Sequence, residues 1–427
     1  MQGFSFIHSS DLHLDSPFKG VITHAPAIAD YLRTATFKAF DALVQLCIDE
    51  QVHFLVVAGD VYDGADRSLR AQLKFRDGLK ILADHDILSF VAHGNHDPLD
   101  GWSSTIEWPE QVHVFGANKV ETKTVKKNGE PIASVSGMSY GKRDERRNLA
   151  QKYRAANPDL FQIAVLHCNC GGNPNHEAYA PCKLADLTST QFDYWALGHV
   201  HEKRIMSTSP YVAYPGNTQG LSIREQGERG CYIARVNEDR HVELAFHPLD
   251  AVRWLSAEIG IDGIGSIDDL DRRIAQIIDS LREKTKGRPV ICRISLAGRG
   301  PLYAELRQET VIPDLLERAQ QLGVSEDPFV WVQGIEINCQ PEADLDKRRD
   351  INDLLGQILR VSEEIRDQVL KKRGDSHGLE DALKPALSEL YDNRRVEKLL
   401  GPISPDDLER ILHEAELLCV DFLEKNE

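Results

Sequence analysis

The sequence predicts an α/β fold that ends in a helical region, and three observations carry that prediction. Over roughly the first 250 residues, short apolar runs alternate with segments of helical periodicity, the mark of βαβ units. From about Val252 the order becomes strand, helix, strand, helix, strand, which suggests a small second α/β domain. Beyond Gln340 only helical patterns remain. The expected domains are therefore residues 1–250, 251–340 and 341–427.

Five apolar runs, each bounded by polar residues or glycine, are expected strands: Phe4 to Ile7, Phe54 to Ala58, Ile87 to Ala92, Phe161 to Leu166 and Tyr194 to Leu197. Between the first two, Tyr31 to Gln51 places Leu32, Ala35, Phe40, Leu43, Leu46 and Cys47 at helical spacing. Leu69 to Leu82 does the same before the third run. Trp254 to Ile261 reads as a strand. The helix after it is capped by Ser266, with Asp269 closing a capping box and Ile267, Leu270, Ile274, Ile277, Ile278 and Leu281 on one face. A strand (Val290 to Leu296), a helix (Ile312 to Leu322) and a strand (Phe329 to Ile337) complete that domain. The C-terminal helices are separated by Gly374 and by Gly401-Pro402, and the last opens on Ser404 as N-cap, Pro405 at the first helical position and acidic Asp406-Asp407. Their apolar stripes (Ile351, Leu354, Leu355, Ile358, Ile365, then Leu408, Ile411, Leu412, Ala415, Cys419, Phe422) either pack on each other or offer a docking face for a partner helix.

A chain of 427 residues, 41% hydrophobic and 27% charged, has ordinary globular usage. No stretch approaches the ~18 consecutive apolar residues of a membrane span. The net charge of −17 argues against a protein that wraps DNA by charge alone, so a nucleic-acid substrate would need a local basic patch or metal ions. The opening Met1 to Ile7 lacks the basic and apolar regions of a signal peptide, and a cytoplasmic location is expected. Among eight cysteines the nearest to a cluster is Cys168, Cys170 and Cys182, whose spacing fits none of the usual zinc pairs; we read them as buried thiols.

The residues immediately after the five runs carry the chemistry: Asp11-Leu12-His13, Gly59-Asp60-Val61-Tyr62-Asp63, Gly94-Asn95-His96-Asp97, His167, and Gly198-His199-Val200-His201. Each block lies just past the C-terminal end of a strand, where the ligands of α/β sheets bind, so residues far apart in sequence can converge. Two-residue spacing on extended backbone turns Asp11 and His13, or His199 and His201, the same way. Imidazole, carboxylate and amide oxygen without sulfur suit manganese, iron, zinc or magnesium. There are more such groups than one ion needs, and two ions about 4 Å apart sharing a carboxylate would suit hydrolysis of a phosphate ester.

In this order the blocks D-x-H, G-D, G-N-H-D, H and G-H-x-H resemble the calcineurin-like metallophosphoesterase superfamily over roughly residues 1 to 220. The resemblance implies a β-sandwich core flanked by helices and two divalent ions. Asp11, His13, Asp60 and His201 would hold one ion, with Asp60 bridging, and Asn95, His167 and His199 would complete the second. His96 would donate a hydrogen bond or proton to the leaving oxygen, oriented by Asp97, for which plain turn-capping is the alternative. Asp63 is either a partner of a ligating histidine or an exposed loop acid, and Asp15, His8 and His93 are read as structural. Three stretches, Phe6 to Phe18, Tyr194 to His201 and Tyr214-Pro215-Gly216-Asn217, are similar to the SbcD and YhaO type of DNA-repair exonuclease, the first especially to YhaO members. That likeness implies manganese, DNA as substrate, a small α/β capping domain and a helical C-terminal region that docks a separate SMC-like coiled-coil ATPase; it allows a homodimer and involves no membrane. SbcD members usually end the last stretch in Ser where this chain has Asn217, a departure expected to touch substrate contacts more than metals.

For DNA, residues 142 to 154 offer Lys142, Arg143, Arg146, Arg147, Lys152 and Arg154 against Asp144 and Glu145. They either track phosphates or form a solvated helix face. The run Gly137 to Arg143 lacks P-loop spacing, so the chain alone is not expected to hydrolyse ATP. Two rival functions stay open: a phosphodiesterase for a small substrate such as a cyclic nucleotide or phospholipid headgroup, and a structural subunit that anchors an ATPase. The intact ligand set argues against the second.

Overall fold

The computed structural model describes residues 2–18, 26–63, 68–100, 107–172, 177–342, 345–371 and 405–424. Two six-stranded mixed sheets dominate it. The first has the order β12-β11-β1-β2-β3-β4, from β1 (Phe4–Ser9), β2 (Phe54–Ala58), β3 (Leu88–Ala92), β4 (Val112–Val114), β11 (Gly230–Val236) and β12 (Val242–Pro248). The second has the order β5-β6-β7-β8-β10-β9, from β5 (Glu121–Lys127), β6 (Glu130–Gly137), β7 (Phe161–His167), β8 (Tyr194–Gly198), β9 (Arg204–Thr208) and β10 (Tyr211–Tyr214). The five expected strands thus divide between two sheets, β1 to β3 in one and β7 and β8 in the other, each set parallel.

Alternation along the strands explains the layers. Phe6, Phe54, Val56 and Phe90 meet Val135, Ile163 and Tyr194 in a core between the sheets. On the opposite faces, Ile7, Leu55 and Val57 pack on Phe40 and Phe75, while Trp195 and Leu197 pack on Tyr153 and Phe192. Phe40 and Phe75 belong to α2 (Ala35–Asp49) and α3 (Leu69–Asp84). The single helix expected over Tyr31 to Gln51 is broken: α1 (Pro26–Arg33) stops at Thr34, whose hydroxyl donates to Tyr31 O at 3.0 Å and so competes with continuation of the helix.

Further along come α4 (Leu184–Thr188), a three-stranded sheet in the order β13 (Arg253–Gly260), β14 (Val290–Ala297), β15 (Val330–Ile337), and the helices α5 (Ile267–Lys284), α6 (Tyr303–Leu306), α7 (Val311–Gly323), α8 (Leu345–Arg349), α9 (Leu354–Lys371) and α10 (Pro405–Glu424). The Ser266 cap forms as expected, its hydroxyl oxygen accepting from Asp269 N at 3.2 Å. Gly374, Gly401-Pro402 and Ser404 lie outside the described residues. No described helix is long and apolar enough to cross a membrane.

Two compact units result, one of residues 1–256, 280–293 and 323–333, the other of 257–279, 294–322 and 334–427. In the second, α9 and α10 bury Leu355, Leu359, Leu417 and Val420 and pair Arg366 with the buried Glu416 at 2.6 Å. Ile351, Leu354, Val361, Ile411 and Leu418 are exposed. The stripe read from sequence therefore mixes a packed seam with an outward face.

Candidate metal centre

The seven candidate ligands lie in the first unit, His167 as the last residue of β7 and the others on the turns that leave β1, β2, β3 and β8. These turns are tight: φ is positive at Asp11 (51°), His13 (43°), Asp60 (52°) and His199 (98°), a region that side chains other than glycine seldom occupy. Backbone bonds between turns hold them there, Asp11 N to Gly59 O at 2.9 Å and His13 N to Asp60 O at 3.1 Å among them. Close approach requires glycine here as well. A Cβ on Gly59 would sit 2.3 Å from His167 Nδ1, and one on Gly94 would sit 2.3 Å from Asp60 Oδ1.

The seven residues Asp11, His13, Asp60, Asn95, His167, His199 and His201 converge. Asp11, His13 and His201 form one group whose ligand atoms lie within 4.8 Å of one another, and Asp60, His167 and His199 form another. His201 Nε2 is 3.1 Å from His13 Nε2 and 3.8 Å from Asp11 Oδ1. Asn95 Oδ1 lies 3.0 Å from His167 Nε2 and 3.1 Å from His199 Nδ1, and Asp60 Oδ2 lies 3.3 Å from His167 Nε2.

The donor and acceptor pattern tests whether cations fit. His167 donates through Nδ1 to Ala58 O at 2.9 Å, and His199 donates through Nε2 to Glu177 O at 2.9 Å. His199, kept neutral by burial, then aims a bare Nδ1 at the oxygen of Asn95, an acceptor facing an acceptor that a cation between them would satisfy, and His167 Nε2 points at the same oxygen and at Asp60 Oδ2. Burial lowers the pKa of His167, but the charge and hydrogen bond of Asp60 outweigh it and raise it to about 9. Burial, with His167 next in effect, lowers His199 to about 4. Asp60 is driven up by burial yet ends well below its usual range because His167, His96 and His13 surround it. A carboxylate so stabilised, among nitrogens and an amide oxygen, fits hard or borderline divalent ions.

His96 stands at the edge of this cluster, its ring centroid 4.9 Å from that of His13, and its backbone N donates to Asp60 Oδ1 at 2.9 Å. Its Nδ1 lies 2.6 Å from Asp63 Oδ1. Burial works against the charged ring, but this bond and the charges of Asp60 and Asp63 leave the His96 pKa raised. The expectation that Asp97 orients His96 is corrected. Asp97 is fully buried and turned away, accepting from Val61 N at 2.8 Å and Gly94 N at 2.7 Å and pairing with His93 Nδ1 at 2.7 Å. It staples the turn after β2 to the turn after β3. Asp63, read from sequence as ambiguous, is the partner of His96.

Glu225 is a residue that the sequence reading missed; nothing in its local pattern marks it. Its Oε1 is 2.5 Å from His201 Nδ1. Asn217 is also corrected: it is fully buried and donates to Glu225 Oε2 at 3.1 Å, so it bears on the support of His201 and offers no surface to a substrate. His8 is structural, between Tyr194 OH (3.0 Å) and Leu197 O (3.1 Å), and Asp15 accepts from Ser68 Oγ at 2.5 Å.

The basic segment is no helix face. Residues 142–148 are irregular and lead into a 3-10 turn, Leu149–Lys152. Lys142, Arg143, Arg146 and Arg147 are exposed. Arg147 is committed to the buried Glu145 through Nε at 2.8 Å, whereas Arg146, paired with Asp144 at 2.5 Å, lies over the Tyr179 ring 5.1 Å from its centroid. Tyr179 in turn packs edge-on against His199, centroids 5.7 Å apart, which puts Arg146 at the rim of the cluster. Cys168, Cys170 and Cys182 are buried free thiols and form no group with metal-ligand spacing among the described residues.

Comparison with known proteins agrees with this geometry. The calcineurin-like phosphoesterase family matches residues 4–203, and the middle domain of the metallophosphoesterase YhaO matches residues 254–340. The chain is 36% identical over 343 residues, 80% of its length and 83% of the relative's, to a Bacillus subtilis (strain 168) protein described as the uncharacterized metallophosphoesterase YhaO. It is 23% identical over 328 residues, 72% of its length and 79% of the relative's, to the DNA double-strand break repair protein Mre11 of Thermoplasma acidophilum. A solved dimetal phosphatase from Danio rerio aligns at a TM-score of 0.35 and 12% identity, over 56% of this chain and 98% of that one. Strand-end ligands and shared sequence over four-fifths of the chain lead to one conclusion: this protein belongs to the calcineurin-like metallophosphoesterases, hydrolases that work with divalent metal ions.

Proposed function

We propose that this metallophosphoesterase is a manganese-dependent DNA exonuclease of the SbcD/YhaO type, acting in cytoplasmic DNA repair with an SMC-like coiled-coil ATPase. The observation that carries the reading is the placement of His96, braced by Asp63 at 2.6 Å, beside the converging ligands, with Arg146 at their rim. The name of the Mre11 relative supports it. In this reading Asp11, His13, Asp60 and His201 hold one ion, Asp60 is shared, and Asn95, His167 and His199 hold the other. When bound, the ions supply Lewis-acid activation of the phosphate and of the attacking water.

The remaining work falls to side chains. His96, with Nδ1 donating to Asp63, holds a proton on Nε2 and delivers it to the leaving 3′ oxygen; the Asp63 bond and the neighbouring carboxylates raise its pKa and so favour the proton-bearing ring. Asp97 keeps Asp60 and Asn95 in register by joining their turns. Arg146, with Arg143 reaching the same Tyr179, draws the neighbouring phosphate toward the centre on an otherwise acidic chain. The test is a cleavage assay with Mn²⁺ on end-labelled single- and double-stranded DNA, run beside bis-p-nitrophenyl phosphate. The reading expects both to be hydrolysed. Hydrolysis of the small ester with intact DNA would instead favour the small-substrate phosphodiesterase.

A further inference from the structure

Three thiols that the proposed chemistry does not use lie close together in the first unit. Cys168 and Cys170 flank Asn169 just after β7, and the chain comes back alongside them at Cys182. Cys170 and Cys182 oppose each other in an isolated parallel bridge, held in register by bonds from Cys182 N to Asn169 O at 3.2 Å and from Gly171 N to Cys182 O at 3.0 Å. Bridged strands lie about 4.8 Å apart, inside the range of roughly 4.4 to 6.8 Å between α-carbons that a disulfide spans. The two thiols already share a hydrogen bond, and Cys182 Sγ also lies 3.8 Å from Cys168 Sγ.

The stretch that leads to Cys182 seats His199. Glu177 O accepts from His199 Nε2 at 2.9 Å and from Asn169 Nδ2 at 3.2 Å, while Tyr179 packs edge-on against the His199 ring and its carbonyl accepts from Asn169 N at 3.0 Å. Only hydrogen bonds hold residues 177–182 against 169–171 while the thiols are reduced. Cys168 is fully buried, whereas Cys170 and Cys182 are 3% and 7% exposed beside the exposed Gly171 and Lys183, so a small oxidant reaches that pair first. Hydrogen bonding, to Cys182 for Cys170 and to Cys168 for Cys182, is the main reason that both pKa values are raised, and burial adds to it. Both thiols therefore stay protonated, and their oxidation is slow.

We propose that Cys170 and Cys182 form a reversible disulfide under sustained peroxide, and that this bond staples the seat of His199. Hydrogen peroxide transfers one oxygen to the Cys182 sulfur, giving a sulfenic acid and one water. The Cys170 sulfur then attacks the oxidised sulfur, forming the S–S bond and releasing the oxygen as a second water. Two thiols thus give up two electrons and two protons, and one peroxide is reduced to two waters. In a reducing compartment the pair stays open and closes only while oxidant persists. The closed form holds residues 177–182 in place even when their hydrogen bonds open.

The experiment treats the reduced, Mn²⁺-loaded full chain with hydrogen peroxide, blocks the remaining thiols by alkylation and maps disulfides by mass spectrometry. Two of the eight thiols should disappear, a peptide pair joined through Cys170 and Cys182 should appear, and dithiothreitol should reverse both changes. The oxidised chain should melt at least about 3 °C higher than the reduced one and release Mn²⁺ to a chelator more slowly. Cys168→Ser should still form the link, and Cys170→Ser should not. A map with no disulfide, with a link between other cysteines, or with sulfinic acid at Cys170 or Cys182 instead would overturn the proposal. The parent chain's own map decides this even where a variant fails to fold. A linked chain that releases Mn²⁺ as fast as the reduced one would overturn the connection to His199.

Discussion

His96 and Asp63 are 33 residues apart in sequence, yet they meet at 2.6 Å, and in the proposed reaction that contact would govern how the leaving group departs. A p-nitrophenolate needs little protonation, whereas the 3′ oxygen of DNA needs a proton. His96→Ala should therefore slow DNA cleavage by about a hundredfold or more while slowing bis-p-nitrophenyl phosphate far less. Asp63→Asn should lower the His96 pKa and move the alkaline limb of the DNA-cleavage profile to lower pH. An equal loss on both substrates, or an unmoved limb, would deny His96 its role as the acid. Gly94→Ala makes a second prediction, because its Cβ would lie 2.3 Å from Asp60 Oδ1 and 2.7 Å from His167 Nε2. It should lose metal and at least about a hundredfold in rate, by displacing groups that cannot move without breaking the centre. At this scale the ligands were legible because each directly follows an apolar run. The orienting contacts were not: Asp63 and Glu225 reach their histidines across the fold, and Asp97, adjacent to His96 in sequence, is carried away from it by the turn that its own carboxylate closes.

Elements bring in longer-range forces. The irregular stretch that follows β6 presents two neighbouring arginines with different commitments. Arg146→Ala should weaken DNA binding and reduce the slope of log K against log salt by about one, as expected for one lost phosphate contact. Arg147→Ala should leave that slope alone and lower the melting temperature, since it strands the buried Glu145. Identical salt slopes for the two variants would remove Arg146 from the DNA path. Composition located this basic stretch, but not its shape, because counting charges does not reveal which pair with a buried carboxylate, as Arg147 does, and which with exposed ones, as Arg146 does. Between β1 and β8, His8 is neutral and buried, burial being the main reason that its pKa falls to about 3. The unfolded chain takes up that proton near pH 6.5 and the folded chain does not. His8 thus contributes fully above pH 6.5 and progressively less as pH falls toward 3, with a limiting slope of about 1.4 kcal/mol per pH unit. Urea midpoints between pH 7 and 4 should fall less steeply for His8→Gln than for the parent chain. Parallel curves would mean that His8 is protonated in the fold.

For the whole molecule, every proposed ligand and His96 lie in the first unit, while the second supplies α9 and α10 with a buried seam and an outward apolar face. We expect truncation after Gln340 to preserve metal binding and small-ester hydrolysis and to abolish co-purification with a coiled-coil ATPase. A truncated chain that loses its metals would make the helices part of the fold's support. The alternation of apolar runs with helices foretold the α/β class. The split of those runs between two sheets was not visible in the runs themselves, since β6, β7 and β8 pair in parallel just as β1, β2 and β3 do. The central claim, a two-metal centre that cuts DNA, meets its most direct test at the shared carboxylate. Purified parent chain and Asp60→Asn should be compared for bound Mn²⁺ by elemental analysis and, in the same samples, for release of nucleotides from end-labelled DNA. The account predicts two ions and cleavage in the parent, and loss of one or both ions with essentially all cleavage in the variant; a variant that keeps both ions and a near-parental rate would contradict it.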